Sequence, residues 1–264
     1  MSLDGTKKSS RDKTVVAARY ELYGSRQSYF TQKMQAAMEW YLKDEFDFKI
    51  KGAENTKILE ARSGTHQIPV LVTPENWCIA DSTPMLVLLD GRMAEPRFYP
   101  QGLVGSLTAV MEEYFDEWSA RWCIHTRWGT TDETAQHAAM SMMLARNLPE
   151  KIARKQVQNV INWGRRASKA LGVSSEIQKS ECENEIVRTF RSFEEHLKNG
   201  HGPFVFGDAP TAVDCVVMGG LRAHFLYDIY PKTLLQDLPE VHKWHDEFGT
   251  SIPNDVKIQR DQNI

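Results

Sequence analysis

The chain has 264 residues, of which 41% are hydrophobic and 25% are charged, and its formal net charge is −3. This length and apolar content are sufficient for a buried core and predict two domains. The nearly balanced charges argue against a nucleic-acid-binding protein and against a membrane-surface protein. We expect no membrane span, because no apolar run approaches the ~20 residues of a spanning helix, and no secretion signal, because the N-terminal residues lack its apolar core.

The four cysteines are widely spaced, without a Cys-x-x-Cys pair. This spacing predicts neither a zinc site nor a disulfide framework. With no secretion signal, it predicts a cytoplasmic protein whose thiols stay reduced. His242 and His245 share a helix face but lack a third ligand, so we expect no metal site.

The first part of the chain predicts a small α/β domain over residues 14–91, after a tail at residues 1–13 that we expect to be disordered. A β-rich segment ends at Gly24, and residues 29–43 have the apolar spacing of an amphipathic helix. Ser28 lies just before this helix, in the N-cap position. The later segments complete the order β-α-β-α-β-β-α, which is typical of a small α/β layer.

Residues 67–82 suggest a binding segment within this domain. Pro69 enters a short strand, where its missing N–H is tolerated. If the bond before it is cis, the Ile68 backbone would face outward toward an extended peptide ligand. Asp81 and Ser82 open the next helix, where free N–H groups and the helix dipole favour anions.

Strand signals almost vanish after residue 91, where we predict a linker at 92–102 and an all-helical domain at 103–250. A polar tail is expected at 251–264. One long helix from Leu103 to Arg127 is predicted to carry an aromatic stripe. Near the end of the domain, Thr211 and Asp214 are spaced as a capping box. We expect this pair to stabilise the helix start and to have no catalytic role.

Three separated pieces together resemble the soluble glutathione transferase superfamily. They are the strand, serine-containing loop and helix start at residues 22–34, the proline loop and acidic-Ser pair at 67–71 and 81–82, and the capping segment at 207–214. Their order and spacing carry the resemblance. Residues 114–118 and 125–128 are also similar to a bacterial subgroup, serine-type or unclassified.

The resemblance implies a thioredoxin-like N-terminal domain that binds glutathione, followed by an all-α helical-bundle domain that shapes the site for the second substrate. It implies a cytoplasmic homodimer that activates glutathione, its co-substrate, as a thiolate for attack on a small hydrophobic electrophile in detoxification. No metal is implied. The alternative is a non-catalytic binding or scaffold protein of the same fold, which the atypical residues Arg26 and Tyr29 favour because prolines are frequent there in the family.

Ser28 matches the catalytic Ser or Cys of the family, five residues before Lys33. A hydroxyl that donates to the glutathione sulfur at a helix N-terminus favours the thiolate. Tyr23 and Ser25 are alternatives for this role. Each of the three residues also has a purely structural interpretation: Ser28 as an N-cap, Tyr23 as a packed strand aromatic and Ser25 as a turn residue. A serine at position 28 argues against the thiol-exchange branch of the family.

The resemblance also implies which residues hold the substrates. Asp81 would face the γ-glutamyl ammonium of glutathione, and Ser82 its carboxylate. The Ile68 backbone would pair with the cysteinyl part. The glutathione-binding set is Gln67, Ile68, Pro69, Asp81 and Ser82. The second-substrate set is Tyr114, Trp118, Arg121, Trp122 and His125, although such a stripe is more often part of a core.

Overall fold

The computed structural model describes residues 19–93, 95–146 and 148–249. The tails predicted at 1–13 and 251–264, and residues 14–18 of the predicted first domain, lie outside the described residues. The N-terminal elements are β1 (Tyr20–Gly24), α1 (Tyr29–Leu42), β2 (Phe46–Ile50), α2 (Thr56–Ser63), β3 (Val70–Val72), β4 (Cys78–Ala80) and α3 (Ser82–Gly91). The predicted order of α/β elements is confirmed.

The four strands form one mixed sheet in the order β2-β1-β3-β4. β1 is parallel to β2, whereas β3 is antiparallel to both β1 and β4. Val70 therefore lies between Tyr23 on one side and Ala80 on the other. The segments after β1, before β3 and after β4 consequently meet at one end of the sheet. We call residues 25–28, 66–69 and 81–82 the loop end.

Different helices cover the two faces of the sheet, because successive strand side chains point to opposite sides. Leu22 and Leu71 are fully buried in the main core, which also contains side chains of α1 and α3. Val70 and Val72 pack instead with Leu59 of α2 on the opposite face. The cluster on the α2 face is the smaller of the two hydrophobic clusters that cover the sheet.

In the remaining described chain the regular elements are helices, apart from an isolated β-bridge between Phe204 and Gly207. The helices are α4 (Leu103–Glu113), α5 (Ala120–Ile124), α6 (Asp132–Ala145), α7 (Glu150–Ala170), α8 (Glu176–Lys198), α9 (Ala212–Gly220), α10 (Ile229–Leu234) and α11 (Pro239–Glu247). Three π-helical segments follow α4, α5 and α9, at Tyr114–Trp118, His125–Gly129 and Leu221–Phe225. The single long helix predicted from Leu103 to Arg127 is therefore helical almost throughout, but it is divided into α4, α5 and two π-helical segments. Apolar periodicity does not reveal wider helical turns of this kind.

Helix α9 joins the helical part to the α/β part. All nine of its residues are buried. At Gly219 a Cβ atom would lie 2.7 Å from both the Lys33 backbone nitrogen and the Tyr29 backbone oxygen. Glycine therefore permits the backbones of α9 and α1 to approach each other closely.

The N-terminus of α9 has the predicted capping carboxylate. Asp214 is fully buried, and its Oδ2 accepts hydrogen bonds from the Thr211 backbone N–H at 2.8 Å and the Thr211 hydroxyl at 3.0 Å. Its Oδ1 accepts a third bond from the Val205 backbone N–H at 2.8 Å. The capping prediction is confirmed, and the same carboxylate also fixes the preceding loop.

Candidate functional site

Ser28 is the N-cap of α1 and is half-buried at the loop end of the sheet. Its Oγ accepts a hydrogen bond from the Thr31 backbone N–H at 3.2 Å. Because Oγ is the acceptor in this bond, the hydroxyl hydrogen can donate to a further group. The position combines a hydroxyl donor with the positive end of a helix dipole, which favours a bound anion.

The two alternative hydroxyls are engaged differently. The Tyr23 hydroxyl donates to Glu21 Oε2 at 2.7 Å, and its ring belongs to the α2 face of the sheet. Burial raises the pKa of Tyr23, and the Glu21 carboxylate raises it further, so the phenol stays protonated at neutral pH. Ser25 Oγ accepts a 3.3 Å bond from the Gln27 backbone N–H inside the loop.

The proline loop lies beside the Ser28 loop, and the Ile68–Pro69 peptide bond is cis. Behind it, the buried Lys51 ammonium donates to the backbone oxygens of His66 at 2.9 Å and Gln67 at 3.1 Å. The Lys51 backbone N–H also bonds the Gly24 oxygen at 2.9 Å. One residue thus connects the proline loop with the end of β1. The loop-fixing role of Lys51 was missed by sequence reasoning.

Asp81 and Ser82 form the third part of the loop end. Asp81 is the N-cap of α3, and its Oδ1 accepts a bond from the Thr83 backbone N–H at 3.2 Å. Its φ angle is +72°, a conformation that costs a non-glycine residue about 1–3 kcal/mol. Ser82 is buried, while Asp81 is exposed. The structure thus brings Ser28, the proline loop and this pair to one end of the sheet.

The residues predicted for the second substrate lie elsewhere, against α8. Glu185 accepts hydrogen bonds from four of them: Tyr114 at 3.3 Å, Trp118 at 3.0 Å, Trp122 at 2.9 Å and Arg121. His125 is buried and bonds Glu183 at 2.9 Å. Carboxylates of α8 therefore occupy the polar ends of this stripe. Its assignment to a substrate site stays a prediction.

A cleft of about 1080 Å³ borders the Ser28 loop instead. Its lining includes Arg26, Gln27, His137, Met140, Ser141 and Tyr227, and among the described residues it includes none of the five predicted side chains. The Gln27 side-chain nitrogen donates to Ser141 at 2.6 Å and to the Tyr227 hydroxyl at 3.2 Å. Nothing in the periodicity of α6 indicated that it would meet this loop.

Two buried charge clusters support these loops. Arg127 donates to Asp228 at 2.7 Å, to the Gln27 oxygen at 2.8 Å and to the Ala223 oxygen. Burial opposes ionisation of Asp228, but His224 and Arg127 together lower its pKa below the ordinary value. Lys33 forms the second cluster with Glu112 and Asp116.

Asp116 is the carboxylate that the π-helical segment contributes to the Lys33 cluster. Burial raises its pKa to about 7, although Lys33 opposes the change. The sequence showed Glu112 and Asp116 four residues apart, but not that both face α1.

Within the described residues, no group of three or more His, Cys, Asp or Glu side chains is arranged to hold a metal ion. In the same part of the chain, no helix has the length and apolar character needed to cross a bilayer.

Comparisons with known proteins agree with this architecture. Residues 168–254 match the family described as glutathione S-transferase, C-terminal domain. No curated protein sequence matches the chain.

Among solved structures, the chain is similar to a glutathione S-transferase from Rhodospirillum rubrum F11, with a TM-score of 0.56 and 14% identity over 86% of each chain. A Tau class enzyme from mango, Mangifera indica, gives 0.53 and 14%, over 88% of this chain and 89% of that one. Rice GST1 in complex with glutathione gives 0.51 and 15%, over 88% of each chain. The predicted fold class is confirmed.

Proposed function

We propose that the chain is a member of the soluble glutathione transferase superfamily, which its fold and the match of its C-terminal domain support, and that it binds glutathione at the loop end and activates the thiol. The observation that carries this proposal is the strand register. It brings Ser28, the Ile68–Pro69 loop and the Asp81–Ser82 pair together from three separate stretches. The rice protein of similar fold, solved with glutathione, supports it.

The tripeptide would lie across the three loops. Its γ-glutamyl end would meet the N-terminus of α3, with Asp81 toward the ammonium and Ser82 toward the carboxylate. Its cysteinyl backbone would pair with Ile68, as an added strand pairs with a sheet edge. Gln67 and Pro69 flank Ile68 and complete the proposed contact surface for the tripeptide. The thiol would then reach Ser28 at the start of α1.

The proposed chemistry is stabilisation of the thiolate. A free thiol has a pKa of about 8.5, and each unit by which the site lowers it corresponds to about 1.4 kcal/mol. A hydrogen bond from the Ser28 hydroxyl and the dipole of α1 both favour the charged sulfur. The thiolate would attack a small hydrophobic electrophile, and a cytoplasmic detoxification role fits this reaction.

The electrophile is proposed to occupy the cleft beside the Ser28 loop. Met140 and Leu144 give this cleft apolar surface, and Tyr227 adds a hydroxyl. Arg26 belongs to the loop end and also lines the cleft, so its cation can meet a carboxylate of either substrate.

Replacing Ser28 with Ala is expected to reduce kcat/KM for conjugation of an aryl halide by about 10- to 100-fold, the range for a lost hydrogen bond to a charged group. The pH at which the rate reaches half its plateau should rise, because the bound thiol loses its donor. Steady-state rates between pH 5.5 and 9 measure both effects.

The matched control is Ser175→Ala, which removes the equivalent N-cap hydroxyl of α8. It should cost similar helix stability, about 1 kcal/mol, without changing the rate. Unchanged turnover in the Ser28 variant would remove this residue from the mechanism. If the wild type is retained on immobilised glutathione but turns over no electrophile, the non-catalytic alternative is favoured, and absence of retention contradicts both functions.

We also propose that the protein is a homodimer held by an apolar α4 face. This face consists of Leu103, Leu107, Val110, Tyr114 and Trp118, all exposed, with Leu103 at 75% and Val110 at 68%. Val87 of α3 is also exposed, so apolar side chains are available from both parts of the chain. Exposed apolar patches of this kind mark association surfaces.

Val110→Glu is expected to convert the dimer to a monomer, because the new carboxylate would be buried without a partner. Light scattering after gel filtration measures the molar mass. Ile177→Glu changes an equally exposed residue on α8 and should leave the mass unchanged. A wild-type mass of one chain would disprove the proposed assembly.

A further inference from the structure

A buried charge cluster connects the helical part of the chain with the α/β part. It comprises Lys33 of α1, Glu112 of α4 and Asp116 of the π-helical segment, each with 5% or less of its surface exposed. The Lys33 ammonium donates to both carboxylates. Buried carboxylates require such donors because the charged form loses its hydration.

Thr83 brings the first turn of α3 to this cluster. Its hydroxyl lies 3.0 Å from Glu112 Oε1 and 3.2 Å from Asp116 Oδ2. These are the same carboxylate oxygens that Lys33 contacts. The hydroxyl can donate to either one, and charge-assisted bonds of this type are stronger than bonds between neutral groups.

The backbone of Thr83 makes a second contact. Its N–H donates to Asp81 Oδ1 at 3.2 Å. One residue is therefore bonded both to the helical-part carboxylates and to the first residue of the Asp81–Ser82 pair. Asp81 holds a φ of +72°, a conformation that persists only when neighbouring contacts determine it.

We propose that Thr83 is a positioning residue, whose hydroxyl bond to the Glu112 and Asp116 carboxylates holds the first turn of α3 in the geometry that binds the γ-glutamyl end of glutathione. This inference rests on the proposed function. Thr83 acts through Asp81 and Ser82, so it affects the affinity for glutathione. The thiolate is stabilised at the other end of the tripeptide by Ser28, so the rate of the bound complex is independent of Thr83.

The test compares Thr83→Val, which removes the hydroxyl and keeps the shape, with Thr83→Ser, which keeps the hydroxyl. For Thr83→Val we expect the Kd and the KM for glutathione to rise about 10-fold, as for a lost bond to a charged group, while kcat changes less than 2-fold. Thr83→Ser should restore both constants to within about 3-fold of wild type. Calorimetry measures the Kd, and steady-state rates measure KM and kcat.

Thr56→Val is the structural control. The Thr56 hydroxyl donates to the Gly52 oxygen at 2.6 Å in the first turn of α2. Its loss should lower stability without changing the Kd for glutathione. If Thr83→Val folds poorly, Asp116→Asn provides the second variant, because it weakens the acceptor and leaves Thr83 in place. It should raise the Kd at constant kcat.

The outcomes separate the two proposals. A wild-type protein that binds no glutathione overturns the proposed function and this inference with it. A wild type that binds, with unchanged Kd in both Thr83→Val and Asp116→Asn, overturns the inference alone. A fall in kcat at constant KM also overturns it, whereas recovery in Thr83→Ser supports it.

Discussion

Replacing Arg127 with Met is expected to lower the free energy of unfolding by about 3–5 kcal/mol, the range for breaking a buried ion pair by removing one partner. Arg127 is buried and its guanidinium donates to Asp228, to the Gln27 oxygen and to the Ala223 oxygen. Methionine fills much of the same volume, so the loss reports on the charge and its bonds. Asp228 would remain buried without its cation.

Chemical denaturation of wild type and variant at pH 7 measures this difference. Arg154→Met is the matched control, because Arg154 pairs with Glu150 on the exposed surface of α7 and such pairs contribute at most about 1 kcal/mol. Arg127→Lys should be intermediate, since it keeps the charge but not the three-way contact. Equal unfolding midpoints for Arg127→Met and wild type would contradict the assigned role.

The change also tests how the Ser28 loop is held. Arg127 bonds the backbone oxygen of Gln27, the residue directly before Ser28. The Gln27 side chain is in turn bonded to Ser141 of α6 and to Tyr227. The helical part of the chain therefore fixes the loop that presents Ser28. A loss of turnover that exceeds the unfolded fraction would show this coupling.

Much of the fold could be predicted because its signals are local. Apolar spacing identified α1, the capping pair identified the start of α9, and Ser28 was placed as an N-cap that the structure confirms. Each depends on residues within one or two turns. The meeting of the loops at one end required the strand pairing, which residue patterns suggest only through a family resemblance.

The second-substrate stripe shows where local signals end. Periodicity correctly placed Trp118 and Trp122 on a helix, but it does not identify what packs against them. Glu185 lies more than 60 positions later, and its carboxylate accepts bonds from both indole nitrogens. The cleft beside Gln27 is likewise formed by helices distant in sequence. A charged partner that is only half-buried and remote in sequence cannot be identified from local periodicity.

Asp214→Ala is expected to lower the free energy of unfolding by about 2–4 kcal/mol at pH 7, because it leaves three donors without their acceptor. These are the Thr211 backbone N–H, the Thr211 hydroxyl and the Val205 backbone N–H. Asp208→Ala is the control, since Asp208 is exposed in the same loop and its loss should cost little. Denaturation midpoints compare the three proteins.

The cost of Asp214→Ala should also depend on pH, in a direction that burial determines. Burial raises the pKa of Asp214 to about 6 in the folded state, above its ordinary value of 3.8. The folded protein therefore binds more protons than the unfolded chain between these values, and wild-type stability decreases as the pH rises from about 4 to about 6.

The alanine variant lacks this titration. Its deficit relative to wild type should be larger at pH 5 than at pH 7 by about 1 kcal/mol, since one pKa unit corresponds to about 1.4 kcal/mol. An equal deficit at pH 5 and pH 7 would mean that the three donors outweigh burial and that the carboxylate is ionised throughout this range.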